Sequence, residues 1–221
     1  MTWIHNVRWL LWKEYRQHRT ILFITLLLAT APYVLAALSA GWSHVWDMGS
    51  LSSLMLSQLA FALIGGTLIA GERADRSAEF QTYLPIPRRR LWGVKLCLPL
   101  AIAAAIWFLN APPILWSGTF RPLFTREGLT IFAMIATAGL NLFCCAWLLS
   151  SVIKSSAISV CGGLTVSWLS FSIDVLAARH YCHLKIDPGE MGYAVILVFL
   201  LAESLICFAI GSWFFLRRVE P

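Results

Sequence analysis

Six apolar stretches of about 20 residues or more dominate this chain: 21–41, 48–71, 96–120, 128–153, 155–178 and 191–216. A helix needs about 20 predominantly apolar residues to cross the hydrocarbon core of a bilayer. The connections between the stretches are short and leave almost nothing for a soluble domain. Usage agrees, with 59% hydrophobic and 13% charged residues against about 25% charged in ordinary soluble domains. The expectation is an all-α polytopic membrane protein, residues 1–221 forming a single transmembrane domain of six spans.

Lysine and arginine placement sets the expected orientation, because cytoplasmic loops carry the excess. If both termini lie on one side, that side holds Arg8, Lys13, Arg16, Arg19, Arg73, Arg76, Arg88, Arg89, Arg90, Lys95, Lys154, Arg217 and Arg218. The other side holds only Arg121, Arg126, Arg179 and Lys185. Both termini are therefore expected in the cytoplasm, in a multi-pass protein of the plasma (inner) membrane. Basic loops facing anionic lipid explain the net charge of +6 without a nucleic-acid partner. The first stretch, 21–41, exceeds the 7–15 residues of a signal-peptide apolar core and reads as a retained helix.

Residues 1–20 place Trp3, Ile4, Val7, Leu10, Leu11 and Tyr15 on one face of a helical wheel, with Asn6, Lys13, Arg16 and Gln17 opposite. This pattern suits an amphipathic helix at the membrane surface. A simple basic flank that fixes topology is the plainer reading. In the second stretch Ala62, Gly66 and Ala70 form a small-residue stripe that lets helices approach closely. Pro112 and Pro113 are expected to kink or end the third helix. Asn141 is expected to hydrogen-bond between helices. Gly163, Ser167, Ser170 and Asp174 share one face of the fifth stretch, and Glu203 lies deep in the sixth. Intramembrane charges generally face the bundle interior or water, so Ser167, Ser170, Asp174 and Glu203 are candidate pathway residues. Asp174 is near enough to the outer end to snorkel to the interface instead. Five of the six cysteines fall in or at the edge of spans, where cysteine acts as a small apolar filler. His180, Cys182 and His183 crowd three donors into four residues, weak grounds for a metal site, and none is assigned.

No GxxxxGK[ST] or GxGxxG phosphate motif occurs, and neither does HExxH or GxSxG. The chain is expected not to be an enzyme. The residues with most to explain are 72–95, the longest charge-dense connection. Glu72 to Tyr83 can extend the second helix into the cytoplasm, with Arg73, Arg76 and Phe80 on one side and Asp75 and Glu79 paired at i,i+4. Pro85 and Pro87 then force an extended corner. Arg88, Arg89 and Arg90 place the next helix start at the headgroups. A positive-inside loop explains the arginines but not the acidic run or the proline corner.

These residues resemble the permease subunits of ABC transporters of the type-2 exporter class. In that family a glutamate closes the second span, then come a small-residue pair, Glu, an apolar residue, Leu-Pro, a variable pair, Arg, and a Lys in the next helix. Here the series reads Glu72, Ser77-Ala78-Glu79-Phe80, Leu84-Pro85-Ile86-Pro87-Arg88 and Lys95, with Ser77-Ala78 where the family commonly has Gly-Thr. Leu11-Trp12-Lys13-Glu14-Tyr15-Arg16 is similar to the family's opening surface helix. The resemblance implies a half-transporter that pairs with a second copy or a homologous permease, in contact with membrane lipid. It implies a cytoplasmic ABC ATPase partner that carries ATP and Mg, with no cofactor on this chain. The 72–95 loop would be the coupling element, with Glu72, Arg73, Asp75, Arg76, Glu79, Phe80, Leu84, Pro85 and Arg88 meeting the ATPase and Lys13, Glu14 and Arg16 bracing it. Two other classes stay open: an ATP-independent transporter or channel using the intramembrane carboxylates, and a membrane assembly protein without transport. The transported substrate is not legible.

Overall fold

The computed structural model describes residues 3–40, 45–74, 87–116, 126–185 and 190–217. Seven helices make up these residues: α1 (Trp3–Ala40), α2 (Val45–Thr67), α3 (Ala70–Ala74), α4 (Arg88–Trp116), α5 (Arg126–Val152), α6 (Ser156–Lys185) and α7 (Glu190–Arg217). No strand occurs among them. The physical reason is the solvent, since lipid offers no partner for an unpaired backbone group and helices satisfy their own. Five helices are long and apolar enough to cross a membrane, over Arg8–Ser39, Arg88–Asn110, Ala133–Val152, Ser156–Ala178 and Ala194–Arg217. In α2 the apolar stretch is shorter, Ser52–Thr67.

Four helix boundaries differ from those the sequence pattern suggests. The expected boundary between a surface helix and a span near residue 20 is absent, for α1 runs unbroken through it. The stretch 48–71 breaks at Leu68 and Ile69, which form a turn between α2 and α3. The third helix begins at Arg88, two turns before the apolar run, with the Pro87 carbonyl accepting from the Arg90 and Leu91 amides. It also continues through Pro112 and Pro113 to Trp116 and does not end at Asn110. Each of these prolines removes one donor from the ladder, yet the remaining bonds keep the helix intact.

α5 is the centre of the bundle and packs on α2, α6 and α7, while α1 packs on α2 and α4. Trp147 of α5 is completely buried, with the rings of Phe143, Phe208 and Phe215 at centroid distances of 5.9, 6.2 and 6.3 Å. Close approach depends on glycine. A Cβ on Gly66 would lie 2.5 Å from the Val160 side chain, and one on Gly163 2.7 Å from the Ala146 Cα. The stripe Ala62–Gly66–Ala70 is wholly buried, and at Gly66 it receives α6.

α4 joins this core through Ile102 and Ile106. It rests on α1 and α2 and touches α7 only lightly. At one end Tyr33 donates to the Asn110 side chain at 2.8 Å. At the other, α1, α3 and α4 converge on a cluster of charges.

Candidate functional site

The convergence begins with helical spacing on α1. Leu10, Glu14 and His18 follow at steps of four, so they share a face, and all three are buried. The face that the wheel groups together divides: Leu10 is buried, whereas Leu11 and Tyr15 are exposed, as are Trp9 and Trp12. α1 therefore turns a carboxylate and an imidazole inward and Trp9 and Trp12 outward. Leu10 packs against Leu91 and Val94 of α4, which brings Glu14 level with Lys95 on the next turn.

Lys95 has no exposed surface. Its ammonium donates to Glu72 Oε2 at 2.6 Å, to Glu14 Oε1 at 3.3 Å and to the Leu68 carbonyl at 3.2 Å. An ammonium has three donors, and all three are used. Lys13 Nζ donates to the other Glu72 oxygen at 3.1 Å and lies 4.0 Å from Glu14 Oε1. His18 Nε2 faces Glu14 Oε2 at 3.5 Å. Two carboxylates and two ammoniums thus balance in a buried site, as burial requires, because desolvating an ion costs several kcal/mol unless it is paired.

The Leu68 carbonyl marks why the helix breaks there. A side chain that inserts into the i→i−4 ladder is a standard cause of a sharp bend, and Lys95 donates to this carbonyl at the α2–α3 turn. The bend aims Glu72 inward. Its neighbour Arg73 reaches α5, where Nη1 donates to the Ser150 carbonyl at 3.4 Å. That carbonyl belongs to the last turn of α5, where cations are favoured by the helix dipole.

Of the residues assigned to coupling, the structure brings together Glu72, Lys13 and Glu14. Arg73 of α3 adjoins them and bonds to α5, and Arg88 opens α4 two turns before Lys95. Arg16 lies on the outer side of α1 with its guanidinium 5.4 Å from the Trp12 ring centroid. Asp75, Arg76, Glu79, Phe80, Leu84 and Pro85 fall outside the described residues. The sequence reading missed His18 and the direct Glu14–Lys95 and Lys13–Glu72 contacts. Two signals pointed to them: the i,i+4 spacing of Glu14 and His18, and a lysine seven residues into α4 that burial would leave needing a counter-ion.

A second polar cluster lies inside the bundle. Asn141 of α5 accepts from the Ser167 hydroxyl at 2.6 Å and donates to Glu203 Oε2 at 3.4 Å, joining α5, α6 and α7. Cys145 donates weakly to the same amide oxygen at 3.6 Å and lies 4.0 Å from the Cys207 sulfur. The proposed pathway face divides. Ser167 joins the Asn141 cluster, whereas Ser170 donates to the Ser167 carbonyl of its own helix at 3.1 Å. Asp174 is 4% exposed and its Oδ2 has no hydrogen-bond partner, so it is held inside the bundle. Among the described residues no group of three His, Cys, Asp or Glu side chains could hold a metal.

Comparison with known families, with characterised proteins and with solved structures gives no match to this chain.

Proposed function

We propose that this chain is the permease subunit of an ATP-driven exporter of the ABC type-2 class, forming half of a translocation pathway and coupling to a separate ATP-binding subunit. The observation that carries the reading is the buried cluster of Glu14, Glu72 and Lys95. The connection 75–87 leaves α3 two residues after Glu72 and enters α4 seven residues before Lys95. Its two ends are therefore tied to each other and to α1 by ion pairs. A lever needs such rigid roots, whereas a loop that only fixes topology needs none. The chain carries no phosphate-binding motif, so under this reading a partner supplies the energy.

Six crossings fit this proposal. α2 has 23 residues, and at 1.5 Å per residue it reaches about 35 Å, enough for a hydrocarbon core of about 30 Å. Ala60 and Ala62 of α2 are fully buried, so the helix crosses inside the bundle. An even number of crossings puts both termini in the cytoplasm beside the basic connection, and the membrane in question is the plasma membrane.

Purification in mild detergent is expected to recover a complex that hydrolyses ATP. Combining Glu79→Arg with Arg88→Glu is expected to dissociate the ATPase while the permease stays folded. Recovery of no ATPase, together with intact transport by the double variant, sinks the proposal. The second reading, an ATP-independent transporter, is favoured by one observation: Asp174 is buried with an unpartnered oxygen near the Asn141–Glu203 cluster. Under that reading transport collapses in uncoupler and survives ATP depletion.

A further inference from the structure

Because α4 leans away from α5, a groove of about 370 Å³ opens between α2, α4, α5 and α7. Cavities that hold small ligands measure about 300–1,000 Å³. On α4 it is lined by Leu96, Leu100, Ala103 and Trp107, and on the facing helices by Ala136, Leu140, Leu205 and Phe208. Its one hydroxyl, that of Ser204, is already donated to the Leu200 carbonyl at 2.6 Å. Apart from Ser204, the Trp107 indole and the Cys144 thiol, the lining is hydrocarbon, so the occupant it suits is hydrocarbon.

The length of the groove is informative. Leu96 to Trp107 rises about 16 Å along α4, close to half of the roughly 30 Å hydrocarbon thickness. That is the depth of one leaflet. Continuing the lining stripe toward the start of α4 gives Gly93 and then Arg89, at steps of three and four. A Cβ at Gly93 would meet nothing within 4 Å, so the stripe is uncovered there beside Trp92, whose indole donates to Ser212 of α7 at 3.2 Å. Arg89 is exposed at the top of the stripe, and so is Arg90 beside it. One face of α4 therefore presents the Arg89 cation, an uncovered glycine and an apolar groove about one leaflet deep, in that order, with Arg90 one residue to the side.

We infer that this groove holds one acyl chain of an anionic phospholipid, whose phosphate is gripped by Arg89 and Arg90. Charge at one end and hydrocarbon along the rest match that molecule and no soluble ligand. A second copy of the chain would need a groove-filling helix and would leave the arginines against a like-charged surface. The inference goes beyond the exporter proposal and does not rest on an ATPase, so either can fail alone.

The test uses the full chain in nanodiscs containing trace phosphatidylglycerol or phosphatidylcholine with a photoactivatable diazirine in mid-chain. Labelled peptides are read by mass spectrometry. Peptides over 96–107 are expected to label several-fold more from phosphatidylglycerol, whereas the lipid-facing stretch of α6 around Trp168 and Ile173 labels equally from both. The Arg89→Gln, Arg90→Gln double variant is expected to bring the groove ratio to about one. Ala103→Phe is expected to cut groove labelling by both lipids while α6 labelling holds, and Ala136→Phe blocks the same space from α5 should the first variant misfold. Equal labelling of the wild-type groove by the two lipids overturns the inference. So does undiminished labelling in the filled variants, or chain-to-chain crosslinking from a photoreactive residue at Leu100.

Discussion

At the scale of single residues, Lys95 decides most. Glu14, Glu72, Lys13 and Lys95 sum to zero charge, and removing one ammonium leaves an excess carboxylate in a buried site. Breaking a buried ion pair from one side destabilises by about 3–5 kcal/mol, whereas replacing the pair with apolar groups is often neutral. Lys95→Met is therefore expected to lower the detergent unfolding midpoint sharply. Adding Glu72→Gln to it is expected to restore much of the loss. Intrinsic tryptophan fluorescence during a thermal ramp measures both. If the double variant is as unstable as the sum of the two singles, the residues are not coupled as the distances require. Asn141 works at smaller stakes. Interhelical hydrogen bonds in membrane proteins average about 0.6 kcal/mol with a maximum near 1.7. Asn141→Leu removes the partners of both Ser167 and Glu203, so a loss of about 1–2 kcal/mol is expected in the same assay.

Much of this was legible residue by residue, and the failures have physical causes. Glu72 and Lys95 announced themselves, being charged residues at the edges of apolar runs, and Asn141 did so as an amide inside one. The inward turn of Glu14 and His18 did not show, because a wheel ranks faces by hydrophobicity. In a bilayer that ranking inverts. Lipid accepts tryptophan and leucine on the outer face, so Trp9, Trp12 and Tyr15 point outward and the polar residues seek each other inside. The break at Leu68 was hidden for a related reason, since a backbone carbonyl that receives a lysine from another helix leaves no trace in local composition.

At the scale of helices, the bundle is set by where glycine permits contact. α5 and α6 meet at Gly163, where a side chain would collide with backbone atoms of Ala146. Overpacking of this kind costs typically about 1–3 kcal/mol. Gly163→Val is expected to destabilise by that amount. Gly71→Ala, where a Cβ meets nothing within 4 Å, is expected to be neutral or slightly stabilising, since alanine exceeds glycine in helix propensity by about 1 kcal/mol. Equal effects at the two positions would show that the α5–α6 seam is looser than its geometry. The helical stretches themselves were readable from apolar length. Their ends were not, because α1 and α4 continue through polar turns that the bundle, and not the bilayer, supports.

At the scale of the whole molecule, the exporter proposal requires six crossings with both termini on the cytoplasmic side. A C-terminal green fluorescent protein fusion is expected to fluoresce, and alkaline phosphatase fused at Pro221 to be inactive. The same phosphatase inserted between residues 121 and 125 is expected to be active. An active C-terminal phosphatase would leave five crossings and remove the pairing of the termini with the 75–87 connection.

One consequence of the Lys95 ammonium belongs to mechanics. Its three bonds end on three separate segments, α1, the α2–α3 turn and α3, while Lys95 itself sits on α4. A frame braced in this way cannot shear, because any sliding of one member must stretch a brace. A load applied to the 75–87 connection is then carried as a tilt of the whole frame, with α1 turning together with α2 and α4. The far ends of α1 and α4, joined at Tyr33 and Asn110, would swing by an amount set by the length of the arm.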